Sequence, residues 1–115
     1  MTNFHNGRKA ELAAAQYLEK QNFIIVAQNW RTRMCEIDIV AQKDDIVYFV
    51  EVKYRQSAYQ GGGLEYVTPA KLRQMHFAAE SWVHKNNWSG NFQLATVEVG
   101  GKAYEITAFV DDIIL

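Results

Sequence analysis

The sequence lacks several features that whole classes of protein require. Cys35 is the only cysteine among 115 residues, so neither an internal disulfide nor a cysteine zinc cluster can form. No apolar run approaches the roughly 18 residues of a membrane span. The polar stretch from Met1 to Lys9 also lacks the apolar core of a signal peptide. We therefore expect a cytoplasmic protein that does not contact a membrane.

The chain also lacks an excess of charge of either sign. Its formal net charge is −1, whereas a general nucleic-acid coat protein is usually basic. An enzyme whose acids cluster around a metal and whose bases line a groove remains compatible with this balance. The length suits a single domain over residues 1–115, and the sequence contains no internal repeat, linker or low-complexity segment.

The spacing of apolar residues predicts an α/β fold with a mixed central sheet, in the order α-β-β-β-α-β-β. The predicted helices are Gly7–Gln21 and one that starts at Thr68-Pro69, an N-cap followed by proline at the first helical position. The predicted strands are Phe23–Val26 with an extension to Trp30, two within Cys35–Tyr54, Phe92–Val99 and Ala103–Ala108. Gly100-Gly101 suits a two-residue connection between the last two strands.

Two helical residues fall on apolar stripes. Glu11 heads the stripe of Ala14, Ala15 and Leu18, which points it toward the core side of the first helix. From the pattern alone, a favourable interaction with the helix dipole, or simple exposure, is the preferred explanation of Glu11. His76 lies on the apolar face of the second helix, where we expect a hydrogen-bonded core histidine rather than a ligand.

The segment Cys35–Tyr54 predicts a hairpin, because two β-branched runs flank the polar residues 42–45. Side chains alternate along a strand, so Glu36 and Asp38 share one face, and Glu51 and Lys53 share one face. Charges on such strands are costly unless they are paired or bind a metal. The pattern therefore predicts a divalent-cation site with a lysine beside it.

The length of the hairpin connection decides whether these acids meet. Opposed residues of an antiparallel pair share a face, so Asp38 and Glu51 meet only if the connection has an even number of residues. A two-residue connection, Asp44-Asp45, places Asp38 opposite Glu51. A four-residue connection, residues 42–45, places Glu36 opposite Glu51 with Asp38 diagonal to it, so either length brings the carboxylates together. Magnesium prefers such carboxylate oxygens, completed by water and phosphate. An ordinary strand end with a Glu51–Lys53 ion pair is the alternative.

Basic residues near the hairpin are candidates for phosphate contacts. They are Arg31, Arg33, Arg55, Lys71 and Arg73. Solvated surface explains Arg31, Arg33, Lys71 and Arg73 as well. The glycines at 61–63 predict a mobile loop that would either close over a substrate or serve as a plain connector.

Several motifs in order resemble the YraN-like family of small predicted nucleases. They are Gly7-Arg8-x-x-Glu11-x-x-Ala14, Asn29-x-Arg31, Glu36-Ile37-Asp38, Phe49-Val50-Glu51-Val52-Lys53 with Arg55, and Glu65-x-Val67 ahead of Lys71. Asp followed on the next strand by Glu-x-Lys is similar to the PD-(D/E)XK nuclease superfamily, which includes restriction endonucleases and archaeal Holliday-junction resolvases.

The resemblance implies a restriction-endonuclease-like fold and a Mg²⁺- or Mn²⁺-dependent endonuclease acting on DNA. It implies that Glu11, Asp38 and Glu51 surround the metal and that Lys53 is catalytic. Glu36, on the same strand face as Asp38, is a further candidate metal ligand. Two departures stand out: Cys35 replaces a usual glycine, and Phe92–Val97 lacks the Arg and Asp frequent there. Branched DNA or repair intermediates are candidate substrates, and junction cutting would favour a homodimer. A non-enzymatic nucleic-acid-binding or adaptor protein, or an oligomerisation domain, is the alternative.

Overall fold

The computed structural model of the chain describes residues 4–56 and 67–113. The elements are α1 Phe4–Lys20, β1 Ile24–Arg31, β2 Glu36–Lys43, β3 Ile46–Arg55, α2 Pro69–Lys85, β4 Asn91–Gly100 and β5 Glu105–Val110. In this part of the chain the strands form one sheet in the order β1-β2-β3-β4-β5. Strands β3 and β4 are parallel, and the other neighbouring pairs are antiparallel. The predicted element order and mixed sheet are confirmed.

The two helices pack on opposite faces of the sheet. Along β3, Tyr48 and Val50 contact the apolar cluster of α1, whereas Val47 and Phe49 contact that of α2. Helix α1 contributes Ala10, Ala14, Ala15 and Leu18, which confirms its predicted stripe. Helix α2 contributes Leu72, Met75, Ala78, Ala79 and Trp82. A strand covered on both faces needs a near-continuous apolar run, which explains the sequence of β3 before Glu51.

Helix α1 ends in a Schellman motif that directs the chain into β1. Asn22 adopts a left-handed conformation with φ 72°, which asparagine tolerates better than most residues. The Phe23 N–H donates to the Leu18 carbonyl at 2.9 Å, and the Asn22 N–H donates to the Glu19 carbonyl at 3.0 Å. Phe23 and Leu18 are both buried in the same apolar cluster, so the cap also fixes the entry to the sheet.

Helix α2 begins as the sequence predicts. The Thr68 hydroxyl accepts a hydrogen bond from the Lys71 N–H at 3.1 Å, and Pro69 occupies the first turn. The prediction for His76 is wrong. His76 is exposed, and its Nδ1 lies 3.3 Å from Oε1 of Glu80, one turn further along the helix. The buried stripe includes Ala78 in its place, so the apolar face is rotated slightly away from His76.

The β2–β3 hairpin uses the two-residue connection. Asp44 and Asp45 have φ values of 52° and 65°, as a type I′ turn requires. The paired register runs from Lys43 opposite Ile46 to Ile39 opposite Val50. Its continuation places Asp38 opposite Glu51, the first of the two predicted arrangements.

Two other predicted connections differ from the structure or lie outside it. Strand β4 continues to Gly100, and residues 101–104 form a turn before β5 starts at Glu105, so the two-residue Gly100-Gly101 connection is wrong. Gly101 has φ 75° and Tyr104 has φ 53°, which allow this longer turn. The predicted loop at residues 61–63 lies outside the described residues.

Candidate functional site

Regular strand pairing around β2 is interrupted at Asp38. The β2–β3 register ends one residue earlier, at Ile39 opposite Val50, and the β1–β2 register passes from Gln28 to Trp30 without pairing Asn29. Asn29 has φ 52°, a left-handed conformation. In place of a ladder bond, the Val52 N–H donates to Asp38 Oδ2 at 2.8 Å. The Asp38 carboxylate is thereby fixed between the two strands.

Asp38 and Glu51 line one cavity of about 660 Å³ between the sheet and α2. Both acids sit where β2 and β3 separate, so a ligand in the cavity reaches them from the side of α2. The described lining residues are Met34, Cys35, Glu36, Asp38, Glu51, Ala70, Lys71, Arg73, Gln74, Met75 and Phe77. The site therefore combines acids of the hairpin with bases of one helix.

Burial and the neighbouring acids disfavour the ionised form of the Asp38 carboxyl group. Burial of its carboxyl group, followed by the nearby Glu51 charge, raises the pKa of Asp38 from 3.8 to about 7. Weaker contributions from Glu11 and Glu36 act in the same direction, and the hydrogen bond from the Val52 N–H opposes them. Any cation close to Asp38 would favour its ionised form.

Glu11 approaches the same acids from α1. It is half-buried, and burial together with the charges of Glu36 and Glu51 raises its pKa. A hydrogen bond from the Asn29 side chain and the Arg8 charge oppose this rise. Glu11 is thus electrostatically coupled to the hairpin acids, although it is not among the residues that line the cavity.

Lys71 supplies a cation at the place where the sequence predicts a metal. Its Nζ lies 3.0 Å from Glu51 Oε2, and both side chains are partly exposed. Within residues 4–56 and 67–113, no three His, Cys, Asp or Glu side chains are grouped closely enough to bind a metal ion. Two carboxylates with room for water nevertheless suit Mg²⁺, which commonly takes one or two carboxylates from a protein. Asp38 and Glu51, which both line the cavity, are the described residues that could hold such an ion.

The other predicted acidic and catalytic residues are placed around this centre. Glu36 lines the cavity but is largely exposed, and its Oε2 lies 3.4 Å from the Arg31 guanidinium. Lys53 is half-buried on β3, two residues beyond Glu51, and is not a lining residue. The structure thus brings Asp38 and Glu51 together with Lys71.

The predicted nucleic-acid contacts divide into three groups. Lys71 and Arg73, both on α2, line the cavity that contains Asp38 and Glu51. Arg31 and Arg33 are exposed at the β1–β2 connection, outside the lining. Arg55 lies elsewhere: its Nε is 2.6 Å from Glu98 Oε2, and the two side chains are 17% and 3% exposed. An arginine held this firmly by a buried acid is explained by its structural role.

Strand β4 supports the site with contacts that no pattern in the sequence predicts. The Thr96 hydroxyl donates to the Glu51 carbonyl at 3.2 Å, and Thr96 is fully buried. Glu98 also accepts a hydrogen bond from the Thr107 hydroxyl at 2.8 Å. Asn29 was part of a recognised motif, but its hydrogen bond to Glu11 depends on the fold. Thr96 carried no signal in the sequence, since an isolated threonine in a strand is ordinary.

Neither described helix has the length and apolar character that a membrane crossing requires.

The fold and the cavity define the chain as a mixed α/β protein with an acidic site where two strands of the central sheet separate. A family model described as "Uncharacterised protein family UPF0102" matches residues 10–100. The chain belongs to this family, which agrees with the resemblance to the YraN-like family.

Individual relatives extend this similarity over most of the chain. A UPF0102 protein of Cytophaga hutchinsonii is 32% identical over 102 residues, which cover 89% of this chain and 90% of the relative. One from Flavobacterium johnsoniae is 30% identical and covers 93% of this chain and 94% of the relative. One from Leifsonia xyli is 40% identical over 76 residues. The chain spans 64% of the length of that relative and of another from Vibrio parahaemolyticus.

Proposed function

We propose that this protein is a metal-dependent nuclease of the restriction-endonuclease-like kind, which hydrolyses phosphodiester bonds in DNA. The observation that carries the proposal is the position of Asp38. A half-buried carboxylate, whose pKa burial and Glu51 raise, shares with Glu51 an open cavity that two bases also line. A stable core has no need of two adjacent acids at the end of an apolar hairpin. A site that binds a cation and a phosphate does need them.

The proposed metal would be Mg²⁺ or Mn²⁺, held by Asp38 and Glu51, with Glu11 and Glu36 adding negative charge from either side. When bound, it lowers the pKa of a water molecule and screens the charge of the phosphodiester. The Val52 N–H holds the Asp38 carboxylate in place, and the Thr96 hydroxyl holds the backbone at Glu51. These contacts pre-organise the acids before substrate binds.

The basic residues of the site would bind the DNA phosphates and assist the reaction. Lys71 and Arg73, on the wall formed by α2, would bind the phosphates that flank the reacting bond. Lys71 would leave Glu51 for a phosphate oxygen as the acid takes up a metal ion. We assign Lys53 the role of orienting the attacking water or stabilising the charge that develops on the phosphate, because it follows Glu51 by two residues on β3.

Cleavage assays test this proposal directly. Duplex, single-stranded and branched DNA, with RNA counterparts, would be incubated with the protein and Mg²⁺ or Mn²⁺. We expect cleavage by the wild type, and loss of cleavage in Asp38→Asn and Glu51→Gln. Glu19→Gln removes an exposed carboxylate from α1 and serves as the control, with activity like that of the wild type. Metal-dependent cleavage that survives Asp38→Asn would overturn the proposal.

A specific observation favours a second candidate function, a non-enzymatic nucleic-acid-binding or adaptor protein. Lys71 already neutralises Glu51 without a metal, and no three-ligand group exists in the described part of the chain. Such a protein would bind DNA, yet Mn²⁺ would not raise its melting temperature.

The protein would act as a homodimer if it cuts a symmetric junction. Light scattering with and without branched DNA tests this oligomeric state.

A further inference from the structure

Two large apolar side chains stand exposed at the acidic cavity. Met34 is 78% exposed and Phe77 is 50% exposed, and both line the cavity that contains Asp38 and Glu51. The other large apolar side chains exposed in the described residues are Leu12, Ile24 and Val26, which lie on α1 and β1 away from this cavity. Single exposed apolar residues are ordinary, but two that converge on one polar site indicate contact with an apolar part of a ligand.

The fold presents these two side chains from different walls of the cavity. Met34 lies in the β1–β2 turn, where the Thr32 hydroxyl accepts hydrogen bonds from the N–H groups of Met34 at 3.1 Å and Cys35 at 3.2 Å. Phe77 lies on α2, in line with Ala70, Arg73 and Gln74 at helical spacing. Neither residue belongs to either of the two buried apolar clusters.

The combination of an aromatic ring, a thioether and a guanidinium suits a nucleobase. Aromatic side chains stack on bases, apolar side chains such as phenylalanine and methionine wedge between base steps, and arginine adds a cation–π contact. A base can present its face to Phe77 only if it is unstacked from at least one neighbour. Regular duplex DNA does not offer such a face.

We infer that Phe77 and Met34 bind an unstacked base within three nucleotides of the cleaved phosphodiester, so that the site selects single-stranded, flapped or branched nucleic acid over continuous duplex. This inference rests on the proposed function, because it takes Asp38 and Glu51 to mark the reacting phosphate. It adds the substrate class and the residues that read it.

The helix also indicates which base is contacted. Lys71 touches Glu51, and Phe77 follows six residues later, which is about 9 Å along an α-helix at 1.5 Å per residue. At the rise of about 3.4 Å per nucleotide of stacked duplex, this distance corresponds to two or three nucleotides, and an unstacked strand covers it in fewer. The contacted base should therefore lie within three nucleotides of the cleaved bond.

Equilibrium binding measures the inference without relying on cleavage. The Asp38→Asn protein and its double variants would be titrated with a labelled flap, the matching single strand in DNA and RNA form, and continuous duplex. Adding Phe77→Ala should weaken binding to the flap and the single strand about tenfold, as the loss of one stacked base predicts, and leave duplex binding within about twofold. Phe77→Trp should retain the preference. Leu12→Ala, an exposed apolar residue away from the cavity, is the matched control and should change neither.

A fluorescent base locates the contact. We expect the emission of 2-aminopurine to change on binding when the probe lies within three nucleotides of the bond cleaved by the wild type, and this change to disappear in Phe77→Ala. If the protein proves not to cleave, the probe is scanned along the flap from its branch point.

Equal losses of flap and duplex binding in Phe77→Ala, or no loss at all, would overturn the inference. Its failure is distinct from that of the proposed function. Cleavage that requires Asp38 but ignores Phe77 removes only the base contact. A Phe77-dependent preference in a protein that never cleaves removes only the nuclease.

Discussion

The Asp38→Asn variant should be more stable than the wild type at alkaline pH, contrary to the usual effect of changing a buried polar residue. In the folded protein, burial and the Glu51 charge raise the pKa of Asp38 from 3.8 to about 7. The folded state therefore binds a proton that the unfolded chain releases, and stability falls as the pH rises from about 4 to about 7. At 1.36 kcal/mol per pKa unit, the full cost above that range is about 4 kcal/mol.

Asparagine removes the charge but keeps the hydrogen bond. Its amide oxygen can accept from the Val52 N–H, as Asp38 Oδ2 does at 2.8 Å. We therefore expect the free energy of unfolding of Asp38→Asn to exceed that of the wild type by about 2–4 kcal/mol at pH 8, and the difference to vanish near pH 4. Urea unfolding at pH 4, 6 and 8 measures both quantities.

Two comparisons make this measurement decisive. Glu19→Gln, which removes an exposed carboxylate, should show no gain that grows with pH. Mn²⁺ should stabilise the wild type at pH 8 by binding the folded state, and should stabilise Asp38→Asn much less. An Asp38→Asn protein that is less stable than the wild type at pH 8, or that differs by the same amount at every pH, would refute the electrostatic reasoning.

Other side chains at and near the site give further expected outcomes. Lys71→Met should raise the affinity for Mn²⁺ up to about fivefold in calorimetric titration, because the partly exposed ion pair of Lys71 with Glu51 contributes about 1 kcal/mol at most. An unchanged affinity would show that Lys71 and the metal ion do not compete for Glu51. Arg55→Ala should lower the free energy of unfolding by about 3–5 kcal/mol in urea, because it leaves Glu98 buried without its arginine; the paired change with Glu98→Gln should lose less. Arg73→Gln should reduce the salt dependence of DNA binding by about one charge for every sequence tested, and an unchanged slope would remove it from the interface.

The part of the site that depends on local geometry was predictable from the sequence. Alternation along two strands and a short connection limit how Asp38 and Glu51 can meet, and the Asp44-Asp45 turn selects one of two arrangements. Capping chemistry likewise predicts the start of α2 at Thr68 and Pro69. These outcomes involve residues close together in the chain, where the backbone allows few alternatives.

Contacts between distant segments were not predictable in the same way. The parallel pairing of β3 with β4 places Glu98 near Arg55, 43 residues earlier, and so gives a predicted phosphate contact a buried partner. The packing of α2 on the sheet places Lys71 beside Glu51 and leaves His76 exposed, although helical spacing alone favours His76 for the core. Phe77 is an aromatic residue outside the buried stripe of α2, and only the packing of that helix shows that it lines the cavity.

The residues of the β2–β3 turn are positions at which substitution can increase the stability of the protein. Asp44 and Asp45 both hold left-handed backbone conformations, which cost L-residues other than glycine roughly 1–2 kcal/mol each and asparagine or aspartate less. Replacing them with Asn-Gly, the pair that type I′ turns favour, should stabilise the hairpin and leave its register unchanged. The turn lies at the opposite end of the hairpin from Asp38 and Glu51. Such a background would let disruptive changes at the acidic site be compared in proteins that all remain folded.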